Sequence, residues 1–251
     1  MTVLFEALSA NTRPSATPVV TFPHAGGSPR YFAPWCLSLP ESLELHGMTY
    51  PGRDMLSEEA FAESVQDLAV ECADAIAPLA HARPTLLFGH SLGSYVAFET
   101  ARQLEGRQCP ILGLVVSGAD APTIGTADTW HLASDEDLIA HVGSLDERSA
   151  AALAIPELAR MFLPLIRSDY RLVETYRANE DDTVSCPVHV IYGDSDPDVA
   201  QAGIPAWEAH ARGEIRIDKF RGGHFYFTPD SAGVQRYLAS VVADTRKAAV
   251  T

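Results

Sequence analysis

The run Pro84-Thr85-Leu86-Leu87-Phe88-Gly89-His90-Ser91-Leu92-Gly93-Ser94 constrains this chain more than any other stretch. It reads as a buried strand entering Gly-x-Ser-x-Gly, after which Tyr95-Val96-Ala97-Phe98-Glu99 continues as a helix. A serine at such a strand-to-helix turn is held in a strained backbone conformation, and glycines on either side leave room for it. Its Oγ then stands above the carboxyl end of a sheet, with the next helix aiming its N-terminus at the same point. The pentapeptide alone is a weak pattern; the strand before it and the helix-forming run after it give it weight. The competing reading is a glycine-rich turn in which Ser91 merely caps a helix.

The rest of the chain alternates in the same way. Short apolar, β-branched runs at 17–22, 43–50, 111–117, 187–192 and 215–220 read as strands. Helices are expected at 31–39 (short), 57–77, from the elbow to about 106, and 231–245; residues 1–16 read as a loose lead-in. The 57–77 helix would start at Ser57 and carry Phe61, Val65, Leu68, Cys72 and Ile76 on one stripe. This alternation predicts an α/β fold, with a mostly parallel sheet covered by helices on both faces. Between 121 and 185 no strand is legible. Helices at 135–144 and 156–176, the second striped by Leu158, Phe162, Leu165, Leu172 and Tyr176, suggest an insertion. Placed after a strand, it belongs over the carboxyl edge of the sheet as a helical lid; a packing subdomain that never moves is the alternative.

A serine needs a base to take its proton, and the base needs an orienting acid. Five histidines follow Ser91. His131 and His141 lie in the insertion, His189 in a strand and His210 in a helical pattern. His224 sits in a loop directly after a strand, behind Gly222-Gly223, and is the expected base. The acid should follow the preceding strand, where Gly193-Asp194-Ser195-Asp196-Pro197-Asp198 offers Asp196 first, then Asp194; Asp120, after an earlier strand, also stays open. All three could be plain turn formers. A tetrahedral intermediate needs two backbone donors. Leu92 N–H is one, and the loop His24-Ala25-Gly26-Gly27 supplies the other, Ala25 N–H being the best placed. His24 precedes the nucleophile and reads as a loop-shaping residue bonded to backbone.

Other classes are disfavoured. A net charge of −15 spread along the chain argues against a nucleic-acid or anionic-membrane footprint. Cys36, Cys72, Cys109 and Cys186 are widely spaced, so free buried thiols are expected, with neither metal nor cofactor. No stretch reads as a signal peptide or membrane span, so a soluble cytoplasmic protein is the expectation.

Beyond the elbow, the chain resembles the type II thioesterases that accompany polyketide and nonribosomal peptide synthases. The resemblance is carried by Pro23-His24-Ala25-Gly26-Gly27-Ser28, Tyr50-Pro51-Gly52-Arg53, Gly89-His90-Ser91-Leu92-Gly93, the stretch 167–176 (RSDYRLVETY), Gly193-Asp194-Ser195-Asp196-Pro197 and Gly222-Gly223-His224-Phe225. It implies a single α/β-hydrolase domain over 1–251 with a helical lid over 121–185. It also implies hydrolysis of acyl groups from the phosphopantetheine arm of an acyl or peptidyl carrier protein, with no cofactor; a monomer is the expectation. Asp54-Met55-Leu56 departs from the family's usual acidic–basic pattern, which leaves the role of Arg53 open. Arg160, Arg167 and Arg171 fall within roughly 20° of one helical face, a strip that could meet an acidic carrier protein or simply be solvated. A carboxylesterase or lipase on the same fold, and a carrier-binding module without catalysis, are the rival readings.

Overall fold

Alternation of side chains along each strand sorts the core into two layers. In the computed structural model, which describes residues 1–9, 13–200 and 202–248, Val20, Phe22, Leu87, Leu114 and Val116 face one layer, and Val19, Leu86, Phe88 and Val115 face the other. The strands are β1 (Leu4–Ala7), β2 (Thr17–Phe22), β3 (Leu43–Thr49), β4 (Thr85–His90), β5 (Ile111–Ser117), β6 (Val188–Gly193) and β7 (Ile215–Phe220). They form one sheet in the order β1-β3-β2-β4-β5-β6-β7, parallel throughout except for β1 against β3. The fold is of the α/β-hydrolase kind, and the central strands are buried on both faces, as their continuous apolar runs require.

Helices α1 (Val65–Ala82) and α2 (Leu92–Gly106) cover the first layer, and α6 (Ser231–Ala248) covers the second. Three helices fill the expected insertion: α3 (Asp135–Leu145), α4 (Glu147–Leu153) and α5 (Pro156–Thr175). The segment contains no strand, only a single bridge between Val184 and Ala211. Its packing is divided. Leu138, Leu153, Leu163 and Ile166 form a small core of their own, whereas Leu172, farther along α5, and Tyr176, just past its end, join the main core. Among the described residues no single helix is long and apolar enough to cross a membrane.

Three local expectations need correction. Residues 4–7 of the supposed lead-in are a strand, Phe5 stacking on His46 at 5.2 Å; four residues on a sheet edge are too few to show a period. The 57–77 helix starts later, at Val65. Ser64, not Ser57, is its cap, accepting the Asp67 N–H at 3.0 Å in a Ser-x-x-Asp box. Phe61 is therefore a loop residue, and its ring covers Gly52 so closely that a Cβ there would lie 2.3 Å away. The helix expected at 31–39 is two short 3₁₀ turns, Pro29–Tyr31 and Ala33–Leu37.

Candidate active site

Ser91 sits between β4 and α2 at φ 55°, ψ −121°, a conformation an L-residue adopts only when its surroundings impose it. Two close approaches impose it. A Cβ on Gly89 would fall 2.1 Å from the Gly93 carbonyl oxygen, and one on Gly93 would fall 2.0 Å from that of Phe22. The strain, of order 1–3 kcal/mol, is offset by bonds that tie the turn to β4 and β5: Ser91 N–H to Ser117 O at 2.8 Å, and Ser94 Oγ to Gly89 O and Ser117 O, both at 3.0 Å. Ser91 makes no capping bond to its helix, so the ordinary N-cap reading does not describe this turn.

His224 lies in the loop after β7, buried, with Nδ1 2.9 Å from Asp196 Oδ2. That contact leaves Nε2 as the nitrogen free to face a reacting group. The loop after β6 is shaped to present Asp196, whose Oδ1 accepts the Asp198 N–H at 3.0 Å. The other two carboxylates do different work. Asp194 accepts the Gly222 N–H at 3.0 Å, which holds its carboxyl below the usual range, and Asp120 accepts the Ala200 N–H at 3.1 Å. Both contacts tie together loops from different strand ends, and of the three carboxylates only Asp196 reaches the imidazole.

Beneath His224 lies a second, fully buried imidazole. His90 has its ring 4.8 Å from that of His224, and its Nδ1 is 3.0 Å from Ser117 Oγ, which in turn meets Tyr226 OH at 2.8 Å. Burial, and then the charge His224 can carry, push His90 well below the ordinary histidine range. His24 is pushed down to about 3 for the same two reasons. The expectation that it bonds backbone is not met: its Nδ1 is buried without a hydrogen-bond partner, and the ring instead sits edge-on to Tyr31 and Phe225, at 4.6 and 4.7 Å. It shapes the loop by packing, since a Cβ on Gly27 would lie 2.8 Å from His24 Cε1.

Ser91 and His224 line two adjoining cavities. One, of about 190 Å³, runs from His24, Ala25 and Gly26 under the insertion, ending on Val142, Leu145, Leu153, Phe162 and Ile166. The other, of about 330 Å³, is mixed, with Asp120, Asp128 and Asp198 beside Ile124, Trp130 and Val173. Burial raises the Asp120 and Asp198 carboxyls.

The arginine strip does not stand free. Arg167 donates to the carbonyls of His131 and Ala133 and pairs with Asp135 at 2.6 Å, and Arg171 donates to Ala62 O at 3.0 Å. Only Arg160, paired with Glu157, is largely exposed. Sequence reasoning also missed Asp169. The stripe Leu158, Phe162, Leu165, Leu172, Tyr176 skips one beat, and Asp169 occupies it, buried and paired with Arg53. A carboxylate on the apolar face of a helix signals a buried cation nearby, and Arg53 was the cation without an assigned partner. The four cysteines are free, and Cys36 alone among them is partly exposed.

Comparison with known proteins shows the family to which this chain belongs. The sequence profile of the thioesterase domain matches residues 17–240. The chain is 33% identical over 233 residues to the probable cadicidin biosynthesis thioesterase of Streptomyces griseus, covering 93% of this chain and 64% of that one. It is 38% identical over 213 residues to thioesterase PikA5 of Streptomyces venezuelae, covering 84% and 76%. Among solved structures, the type II thioesterase BorB from the borrelidin biosynthetic cluster superposes with a TM-score of 0.83 at 34% identity, covering 95% of this chain and 97% of the other.

Proposed function

The chain belongs to the thioesterase family and is a type II thioesterase, and we propose that it hydrolyses acyl groups from the phosphopantetheine arm of an acyl or peptidyl carrier protein, clearing a polyketide or nonribosomal peptide synthase. The observation that carries this reading is the junction at Ser91: a positive-φ serine and a carboxylate-held histidine where an apolar cavity adjoins a mixed one that holds several carboxylates. The apolar cavity suits an acyl chain, and the mixed one, whose carboxylates can accept amide N–H groups, suits the amide-bearing arm.

In this mechanism Ser91 Oγ attacks the thioester carbon while His224 Nε2 takes its proton. Asp196, on Nδ1, holds the ring in the matching tautomer and stabilises the imidazolium. Charge on the carbonyl oxygen is received by two backbone donors, Leu92 and Ala25. The Leu92 N–H opens α2 and has no acceptor within its helix. Of three consecutive N–H groups in the facing loop, that of Gly26 goes to Asp169 and that of Gly27 to His24 O, so Ala25 has the one available. The C–S bond then breaks, and the thiol leaves with the proton from His224. Water, deprotonated by the same nitrogen, attacks the acyl-serine, releasing the acid and restoring Ser91. Helices α3 and α4, which close the apolar cavity, act as the lid. We take the enzyme to act in the cytoplasm, the compartment expected of carrier-bound substrates and one that four free cysteines suit.

The test is Ser91→Ala with an acylated carrier protein and with matched free thio- and oxoesters. Loss of all turnover with substrate binding retained, and wild-type labelling by a fluorophosphonate at Ser91, are expected. Equal rates on oxoester and thioester would instead favour a carboxylesterase, and absence of labelling would favour a binding module.

A further inference from the structure

Three distant segments converge on the loop that faces Ser91. Arg53, at the end of the Tyr50-Pro51-Gly52-Arg53 turn, donates from NH1 to Gly27 O at 2.8 Å and to Asp169 Oδ2 at 2.8 Å, and from NH2 to Asp169 Oδ1 at 2.8 Å. Asp169, on α5, accepts the Gly26 N–H through the same Oδ2 at 2.7 Å. Arg53 is 6% exposed and Asp169 2%, with the guanidinium also over the Tyr50 ring at 5.0 Å.

A buried ion pair is a weak source of stability, because desolvating two charges offsets their attraction, and a well-packed apolar pair often serves as well. An apolar pair could not hold an N–H and a C=O at once. Here the carboxylate holds the Gly26 N–H and the guanidinium holds the Gly27 C=O, so both ends of this glycine pair are pinned. Ile166, one turn earlier on α5, presses on the same place: a Cβ on Gly26, at φ 73°, would lie 2.7 Å from Ile166 Cγ1. With the pair pinned, the Gly27 N–H meets His24 O at 2.9 Å. That oxygen belongs to the planar peptide whose other side is the Ala25 N–H, so the bond also sets the direction in which Ala25 points.

We propose that Arg53 and Asp169 are positioning residues of the oxyanion hole, holding the 24–27 turn so that the Ala25 N–H meets the charge that develops on the acyl oxygen. The proposal rests on the reading of Ser91, Ala25 and Leu92 given above. It also assigns α5 a fixed part: the helix that lines the acyl cavity carries the carboxylate that shapes the hole.

Asp169→Ala should lower kcat on a short free thioester about 10²-fold, as loss of one oxyanion donor does, with KM within about threefold. An acyl trifluoromethyl ketone, which forms a charged tetrahedral adduct, should weaken in parallel with kcat/KM, while the carboxylic acid product binds as before. Asp169→Asn should recover part of the rate, because an amide oxygen still accepts from Gly26. A folded Asp169→Ala enzyme, checked by circular dichroism, with wild-type kcat would overturn the proposal, as would a rise in KM at constant kcat. Should that variant fail to fold, Arg53→Lys supplies the same readout, since an ammonium cannot span Gly27 O and both Asp169 oxygens. A kcat drop of about tenfold or more supports the clamp, and an unchanged kcat overturns it. Turnover by Ser91→Ala would break the underlying site reading. An inactive Ser91→Ala beside a fully active Asp169→Ala would break the clamp alone.

Discussion

Phe22 and Gly93 meet backbone to backbone: the end of β2 passes so close to the first turn of α2 that a Cβ on Gly93 would fall 2.0 Å from the Phe22 carbonyl oxygen. This approach sets the elbow against the loop at 23–28, and Ser91 and Ala25 line one cavity.

Gly93→Ala should therefore cost about 3 kcal/mol or more, because backbone, unlike a flexible side chain, cannot yield. Gly106→Ala, where a Cβ meets nothing within 4 Å, is the control and should be neutral or slightly stabilising. Urea unfolding of the two variants checks the difference.

Asp196→Asn should reduce kcat by about 10³–10⁴-fold, since an amide on Nδ1 favours the wrong tautomer. Asp120→Asn and Asp194→Asn, whose amide oxygens still accept the Ala200 and Gly222 N–H groups, should stay within about tenfold of wild type. A large loss for Asp120→Asn with none for Asp196→Asn would move the acid to the earlier strand.

Ala152 lines the apolar cavity beside Leu153 and Phe162. Ala152→Phe fills part of that space, so kcat/KM for a medium-chain acyl thioester should fall at least about tenfold relative to an acetyl thioester, a methylene in such a pocket being worth about 1–3 kcal/mol. Uniform loss across chain lengths would place the acyl group elsewhere.

Acid should destabilise this fold early. In the unfolded chain a histidine protonates near 6.5, whereas His24 in the native state does so only at about 3, because burial and the neighbouring His224 disfavour its charge. Between those values the unfolded state binds more protons, so stability rises with pH and is lost as pH falls below about 6.5. The slope is up to about 1.4 kcal/mol per pH unit for each such group. Urea midpoints at pH 7, 6 and 5 should show it, and His24→Phe should flatten it.

Arg167→Glu should slow turnover of carrier-bound and free thioesters alike, because this side chain anchors the segment at 131–135 rather than standing ready for a partner. A loss confined to the carrier-bound substrate would restore the docking role.

Which parts were legible in the sequence follows from the range of the forces involved. Short continuous apolar runs and the glycines around Ser91 report on neighbours within a few residues, so the core strands, the elbow and the His224 loop could be read directly. The edge strand Leu4–Ala7 and the start of α1 could not, because four residues carry no period and Ser57 imitates the cap that Ser64 makes. The choice of Asp196 over Asp194 and Asp120 needed the tertiary structure: all three suit turns, and only placement across two strand ends decides which carboxylate reaches Nδ1. The same holds for Arg53 and Asp169, 116 residues apart. Sequence alone determined that this chain builds a serine elbow on a parallel sheet. Tertiary structure alone decided which distant charges surround it, because desolvation forces a buried charge to find a partner wherever the fold brings one.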